Sequence, residues 1–210
     1  MSVSASATPE QHHAFDDFAW TKDNAKRVTA IVARYPEGRQ QSAVMPLLDL
    51  AQRQVGAATK TQGWLPIPVI EYVARELGMP YIRVWEVATF YTMYNLAPVG
   101  RFHVQVCGTT PCMLRGSDEV MRACKVKGLA KGQTTADGLF TLTEVECMGT
   151  CANAPMVQIN DDNYEDLDYA TTARILDELA AGKTPKPGPQ IERQTSAQAG
   201  GQTTLKEFMA

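Results

Sequence analysis

The sequence predicts an α+β chain, a bundle of helices followed by a sheet with helices laid over it. From Asp23 to Asn95 the apolar residues recur every three or four positions, the period of a helix that buries one face. After Pro98-Val99-Gly100 the pattern changes to alternation, the period of a half-buried strand. The second half then runs strand, helix, strand, strand, helix, an order that packs helices on a sheet. With 210 residues and 44% hydrophobic content, the chain is long enough to bury two such cores.

In the first half, Val28, Ile31, Val32 and Tyr35 share one helical face, and Pro36 stops the run. Ser42 is a candidate N-cap for a second helix, lined by Val44, Leu47, Leu48, Ala51 and Val55, with Pro46 close enough to its start to be tolerated. A loop is expected from Gly56 to Gly63. Ile70, Val73 and Leu77 make a third stripe closed by Gly78. Pro80 opens a fourth segment, YIRVWEVATFYTMY, which is apolar on nearly all sides and is therefore expected to be the most buried. Its aromatics Trp85, Phe90, Tyr91 and Tyr94 read as core or interface packing rather than a cofactor box.

In the second half, RFHVQV (Arg101 to Val106) reads as a strand ending at Cys107, and MLRGSDEVMRACKVKG as a helix with Met113, Val120, Met121 and Cys124 inward. LFTLTEV (Leu139 to Val145) leads into Cys147, and MVQI (Met156 to Ile159) leads into an acidic turn, Asn160 to Asn163. A last helix is expected from Tyr169 to Ala181. From Lys183 onward the composition of Pro, Gly, Gln and Thr suggests an extended tail that orders only against a partner.

A formal net charge of -3 gives no reason to expect nucleic-acid binding, and the apolar runs are too short for membrane insertion. The stretch MSVSASATPEQHHAFDDFAW lacks an apolar export core and meets Glu10, Asp16 and Asp17 before its first Lys or Arg, so a reducing cytoplasm is the expected location. There, five cysteines suggest metal ligands or reactive thiols rather than disulfides.

Four of them form two pairs, Cys107 and Cys112 spaced C-x4-C and Cys147 and Cys151 spaced C-x3-C, each beginning where a strand is expected to end. If the two strands are parallel neighbours, both loops leave the sheet at the same edge and four sulfurs meet on one rim. Thr109, Thr110, Thr150 and bare backbone N–H groups could then donate to sulfur. A structural zinc would more commonly show a C-x2-C knuckle but stays open as an alternative, as do inert or regulatory thiols. A dithiol enzyme would need C-x-x-C, which is absent. A [2Fe-2S] cluster, which can take one pair from each loop, suits the spacing best, whereas plant-type and bacterial [4Fe-4S] ferredoxin spacings do not match. Cys124 reads as a small core hydrophobe. His12, His13 and His103 do not assemble a Rieske-like set, and the absence of G-x-G-x-x-G and Walker sequences gives the chain no nucleotide site of its own.

VQVCGTTPCMLRGSDE, FTLTEVECMGTCANAPMVQINDDNYEDL and EVATFYTMY resemble the thioredoxin-like [2Fe-2S] ferredoxin subunits of respiratory complex I, the NADH:quinone oxidoreductase, over roughly residues 22 to 188. The resemblance implies an N-terminal helical bundle followed by a thioredoxin-like α/β domain carrying one [2Fe-2S] cluster. It implies Cys107, Cys112, Cys147 and Cys151 as the ligands, the first pair on one iron and the second pair on the other. It also implies a place in the peripheral arm beside the FMN- and NADH-binding subunit and the other iron-sulfur subunits, with FMN and NADH held by that partner. The chain would then be a cytoplasmic component peripheral to the inner membrane of a bacterium, part of an NADH dehydrogenase without a complete active site of its own. A diaphorase subunit of an NAD-linked hydrogenase or formate dehydrogenase uses the same cysteines and is the alternative, with a zinc-stabilised interaction module behind it. Met148 and Thr150 stand where the family more often has Leu and Ala, and Gly56 to Gly63 is longer than usual. The expected division is a flexible N-terminus over 1–21, a helical docking domain over 22–97, the cluster domain over 98–184 and an extended tail over 185–210.

Overall fold

The computed structural model describes residues 7–201 and 203–205. The chain divides into two compact units at Arg101 and Phe102.

The first unit is helical: α1 (Pro9–His12), α2 (Lys22–Val32), a 3-10 turn (Gln40–Ala43), α3 (Val44–Thr59), α4 (Ile67–Glu76) and α5 (Tyr81–Phe90). Thr21 starts α2 by accepting the Asn24 N–H on its hydroxyl. The core centres on α3, where Leu47, Leu48 and Ala51 are fully buried against Val69, Ile70 and Val73 of α4 and Val84 of α5. Each such Leu, Ile or Val side chain removed from water contributes roughly 1.5 to 3 kcal/mol. Residues 7–21, expected to be flexible, carry α1 and an aromatic cluster in which Phe18 packs edge-on to Tyr72 at 5.2 Å and Phe15 to Trp64 at 5.8 Å; residues 1–6 lie outside the described chain.

Two expectations fail here for physical reasons. The Gly56–Gly63 stretch is not all loop, because α3 runs on to Thr59 and ends only at Lys60, whose φ is 58°. Gly56 lets the returning chain touch the helix, since a Cβ there would sit 2.8 Å from the Thr61 carbonyl oxygen. The segment after Pro80 is not the most buried. Only Val84 and Ala88 of α5 are buried, while Ile82, Phe90, Tyr91 and Met93 face outward, Phe90 being 77% exposed. The helix also stops at Phe90, where Tyr91 turns extended.

The second unit is a five-stranded sheet, β1 (Phe102–Cys107), β2 (Phe140–Val145), β3 (Val157–Ile159), β4 (Asp162–Glu165) and β5 (Gly188–Pro189), in the order β2-β1-β3-β4-β5. β1 and β2 run parallel with Cys107 opposite Val145, and β3 lies antiparallel on the other side of β1. The helices are α6 (Thr110–Leu114), α7 (Ser117–Val126) and α8 (Tyr169–Ala180). Val104, Val106, Leu142 and Ile159 of the sheet share a core with Val120 and Cys124 of α7 and Ile175, Leu176 and Leu179 of α8. Asp168 caps α8 by accepting the Thr171 N–H at 2.7 Å.

The single helix expected from Met113 is two, broken at Gly116 with φ 101°, and Met113 points outward instead of inward. The expected acidic turn contains strand β4: Ile159 pairs with Asp162 across a two-residue turn opened by Asn160 at φ 58°. β5 and residues 190–195, expected to belong to an extended tail, lie on this unit. β5 pairs with β4, and the Gln190 N–H donates to the Glu165 carbonyl at 3.0 Å.

Candidate functional site

The parallel pairing of β1 and β2 brings both cysteine loops to one edge of the sheet. Cys107 closes β1; its N–H donates to the Met156 carbonyl and the Gly108 N–H to the Val145 carbonyl, so the first loop is tied to β2 and to the β3 approach. Pro111 sits in the first turn of α6, where a missing N–H costs nothing, and Cys112 follows it in that helix. Both sulfurs are buried with Ala154 and Met156, and Met148 leans on them. After β2, Gly149 adopts φ 83°, a conformation that favours glycine, and turns its N–H onto Cys147 Sγ at 3.4 Å. Cys151 then begins a short 3-10 turn, Cys151–Asn153. Cys147 Sγ and Cys151 Sγ lie 3.4 Å apart and both residues are exposed.

The sulfurs therefore come as two pairs, Cys107 and Cys112 packed in one buried cluster and Cys147 and Cys151 in direct contact, while between the pairs the interaction is charge acting through space. Burial pushes the Cys107 thiol up, but hydrogen bonds from Thr109, the Met148 backbone and Cys112 outweigh it and leave its pKa lowered. Burial and the Cys107 neighbour push Cys112 up to about 11. The Gly149 N–H, followed by Cys151, lowers Cys147; the Cys147 neighbour, followed by burial, raises Cys151. Thr109 Oγ1 lies 3.4 Å from Cys107 Sγ and also helps to lower the Cys147 thiol. Thr110 and Thr150 make no hydroxyl contact with sulfur among the described residues.

Among the described residues no three His, Cys, Asp or Glu side chains gather as they would around a single ion. Two thiolates for each of two irons is the donor set that the paired sulfurs fit. Cys124 lies elsewhere, fully buried in the sheet core, where burial drives its thiol up to about 12. His103 is held in β1 at 2.9 Å from the Thr143 hydroxyl, and burial pushes its pKa down to about 4.

Residues 28–180 match the family of thioredoxin-like [2Fe-2S] ferredoxins. The chain belongs to that family. Among curated relatives of this ferredoxin-family chain, the E subunit of the Rickettsia conorii NADH-quinone oxidoreductase is 55% identical over 164 residues, 78% of this chain and 95% of the relative. The mitochondrial NADH dehydrogenase [ubiquinone] flavoprotein 2 of Dictyostelium discoideum is 45% identical over 98% of this chain and 81% of its own length. The crystal structure of an air-oxidised NAD+-reducing [NiFe]-hydrogenase is similar in fold, with a TM-score of 0.54 and 18% identity, over 66% of this chain and 23% of that one.

Three residues that pack beside the second cysteine loop carry no sequence signal of their own. Asn153 is fully buried two positions after Cys151, Asp166 follows β4 with φ 55°, and Arg193 comes from the tail. Only their neighbours in space reveal them.

Proposed function

We propose that this chain is the [2Fe-2S] electron-transfer component of a bacterial NADH:quinone oxidoreductase, peripheral to the inner membrane on its cytoplasmic side. In this reading Cys107 and Cys112 hold one iron, Cys147 and Cys151 hold the other, and a separate subunit supplies FMN and the NADH site. The observation that carries it is the placing of two thiol pairs, one buried and one open, at the shared edge of β1 and β2, in a chain 55% identical over 164 residues to a component of NADH-quinone oxidoreductase. Among the described residues no helix is long and apolar enough to cross a membrane, which suits a peripheral place.

When bound, the cluster supplies one-electron storage, which a flavin reduced by a two-electron hydride needs as its outlet. The chain's residues prepare for that. Met156 and Ala154 wall the first pair from water, and the Thr109 hydroxyl with the Met148 and Gly149 N–H groups donates to sulfur and favours its anionic form. The helical unit is read as the docking surface toward the flavin-binding partner. Its outward Ile82, Phe90, Tyr91 and Met93 form the kind of apolar and aromatic set that partner interfaces use.

The test is iron and acid-labile sulfide analysis of the purified chain, with an electron paramagnetic resonance spectrum before and after dithionite. Two irons, two sulfides and a signal that appears on reduction are expected; zinc without sulfide overturns the reading. Phe90→Ala with Met93→Ala should leave the cluster signal intact and prevent co-purification of the flavin-binding partner, while normal assembly would remove the docking role. Co-purification with a hydrogenase or formate dehydrogenase would move the chain to a different diaphorase.

A further inference from the structure

Beyond its helices, the second unit is closed by a segment that returns from α8 across the second cysteine loop. The Tyr164 hydroxyl donates to the Pro185 carbonyl at 3.4 Å, β5 extends β4, and Gln190 is held by Arg174 Nη2 at 2.8 Å. This path delivers Arg193 into the protein, where its side chain is only 9% exposed. Arg193 Nη1 donates to Asn153 Oδ1 at 3.0 Å and to the Ala152 carbonyl at 3.4 Å, and Nη2 lies 3.0 Å from Asp166 Oδ1, whose side chain is 3% exposed. Asn153, fully buried, donates to Glu165 Oε2 and to the Thr195 carbonyl. Its own backbone carbonyl receives the Asp166 N–H at 2.8 Å. Arg193 therefore grips the two residues that follow Cys151, from a segment about forty positions away.

We propose that Arg193 is a positioning residue for the second cysteine loop: by clamping Ala152 and Asn153 to Asp166 it fixes where Cys151 Sγ stands relative to Cys147 Sγ. The inference rests on reading Cys147 and Cys151 as iron ligands. Two features support it. The Cys151 loop is exposed and glycine-turned, with no strand or long helix of its own, so its order must come from outside contacts. The ion pair is also an inefficient stabiliser, because both Asp166 oxygens and Arg193 Nε lack a hydrogen-bond partner among the described residues although the charges are in contact. Desolvating two charges with incomplete hydrogen bonding contributes little net stability, so bulk stabilisation is a poor account of why the pair is there.

The experiment uses the full chain with Arg193→Lys, Arg193→Met and the double variant Arg193→Met with Asp166→Asn, which leaves no unpaired buried charge and keeps the clamp testable if the single variant fails to fold. Two readouts are followed: amide hydrogen exchange at Asn153 and Ala154 in the iron-free chain, and iron release to a chelator with the resonance g-values in the reconstituted chain. Exchange at those two amides should quicken about tenfold while the β1–β2 ladder keeps its rate. Iron release should quicken about ten- to a hundredfold with altered g-values, and Arg193→Lys should fall between. Unchanged exchange and release in the Met variants would overturn the proposal, as would acceleration spread evenly over the ladder, which would make Arg193 a bulk stabiliser. If the wild-type chain binds no iron, the ligand reading fails, while the exchange data still judge the clamp.

Discussion

The two cysteine loops carry the same donors in different settings. The first is built on regular structure, a strand end and a helix, and both of its sulfurs are buried beside Met156. The second is a glycine turn and a 3-10 turn with both cysteines exposed, and its order comes from Gly149 and from the Arg193 segment. One rim can thus present a sheltered pair and an open pair to the same centre. Burial sets the Cys112 thiol of the first, whereas the Gly149 N–H and the partner sulfur set those of the second.

Alkylation of the iron-free chain at pH 8 should show this contrast at its largest. The open Cys147, with its lowered pKa, should react far ahead of Cys112, which is buried and pushed up to about 11. The thiolate fraction alone separates Cys112 from an ordinary thiol by about a hundredfold, so mass spectrometry should show a gap of about three orders of magnitude once access is included. Equal rates would mean that the first pair is not sheltered. A second route is to remove the shelter. Met156→Ala should destabilise the chain by about 2 to 5 kcal/mol and move Cys112 reactivity toward that of Cys147, measured by denaturant unfolding and the same alkylation assay.

His103, on the strand that feeds the first loop, offers a pH probe. Its folded pKa of about 4 lies below the unfolded value of 6.5, so the folded state favours the neutral ring. That contribution is complete above pH 6.5 and is lost as pH falls toward 4, because the unfolded chain takes up the proton first. The loss should reach about 3 kcal/mol, and His103→Gln should flatten the acid side of the stability profile. The smallest effect is expected at Cys124→Ala, which should leave the visible absorption of the reconstituted cluster unchanged; bleaching would make Cys124 a ligand.

The strands that lead into the cysteines were legible because apolar and polar residues alternate through Phe102 to Val106 and Phe140 to Thr143, although β2 is buried on both faces over Phe140 to Thr143. Their parallel pairing was visible only as a condition on topology. Other features were hidden for definable reasons. α5 is apolar on nearly all sides apart from the exposed Arg83–Glu86 pair, a pattern that reads as deep burial although Ile82 and Phe90 are left facing outward. β4 carries Asp162 and Glu165 and buries only Tyr164, so it offers too little apolar alternation to be read as a strand. The Arg193 segment has the composition of a linker, and its order comes from contacts with Asn153 and Asp166 that no local pattern encodes.

Gln52, buried on α3, braces the chain beyond α5. Its Nε2 donates to the Met93 carbonyl at 3.2 Å and its Oε1 accepts the Asn95 N–H at 2.7 Å, while the Tyr94 hydroxyl donates to the Met45 carbonyl at 2.8 Å. The outward Phe90, Tyr91 and Met93 are thus mounted on a stiffened backbone instead of a loose strand end. A protein settling onto those rings would find the main chain already immobilised, and the entropy that flexible recognition segments surrender on association would have been given up during folding.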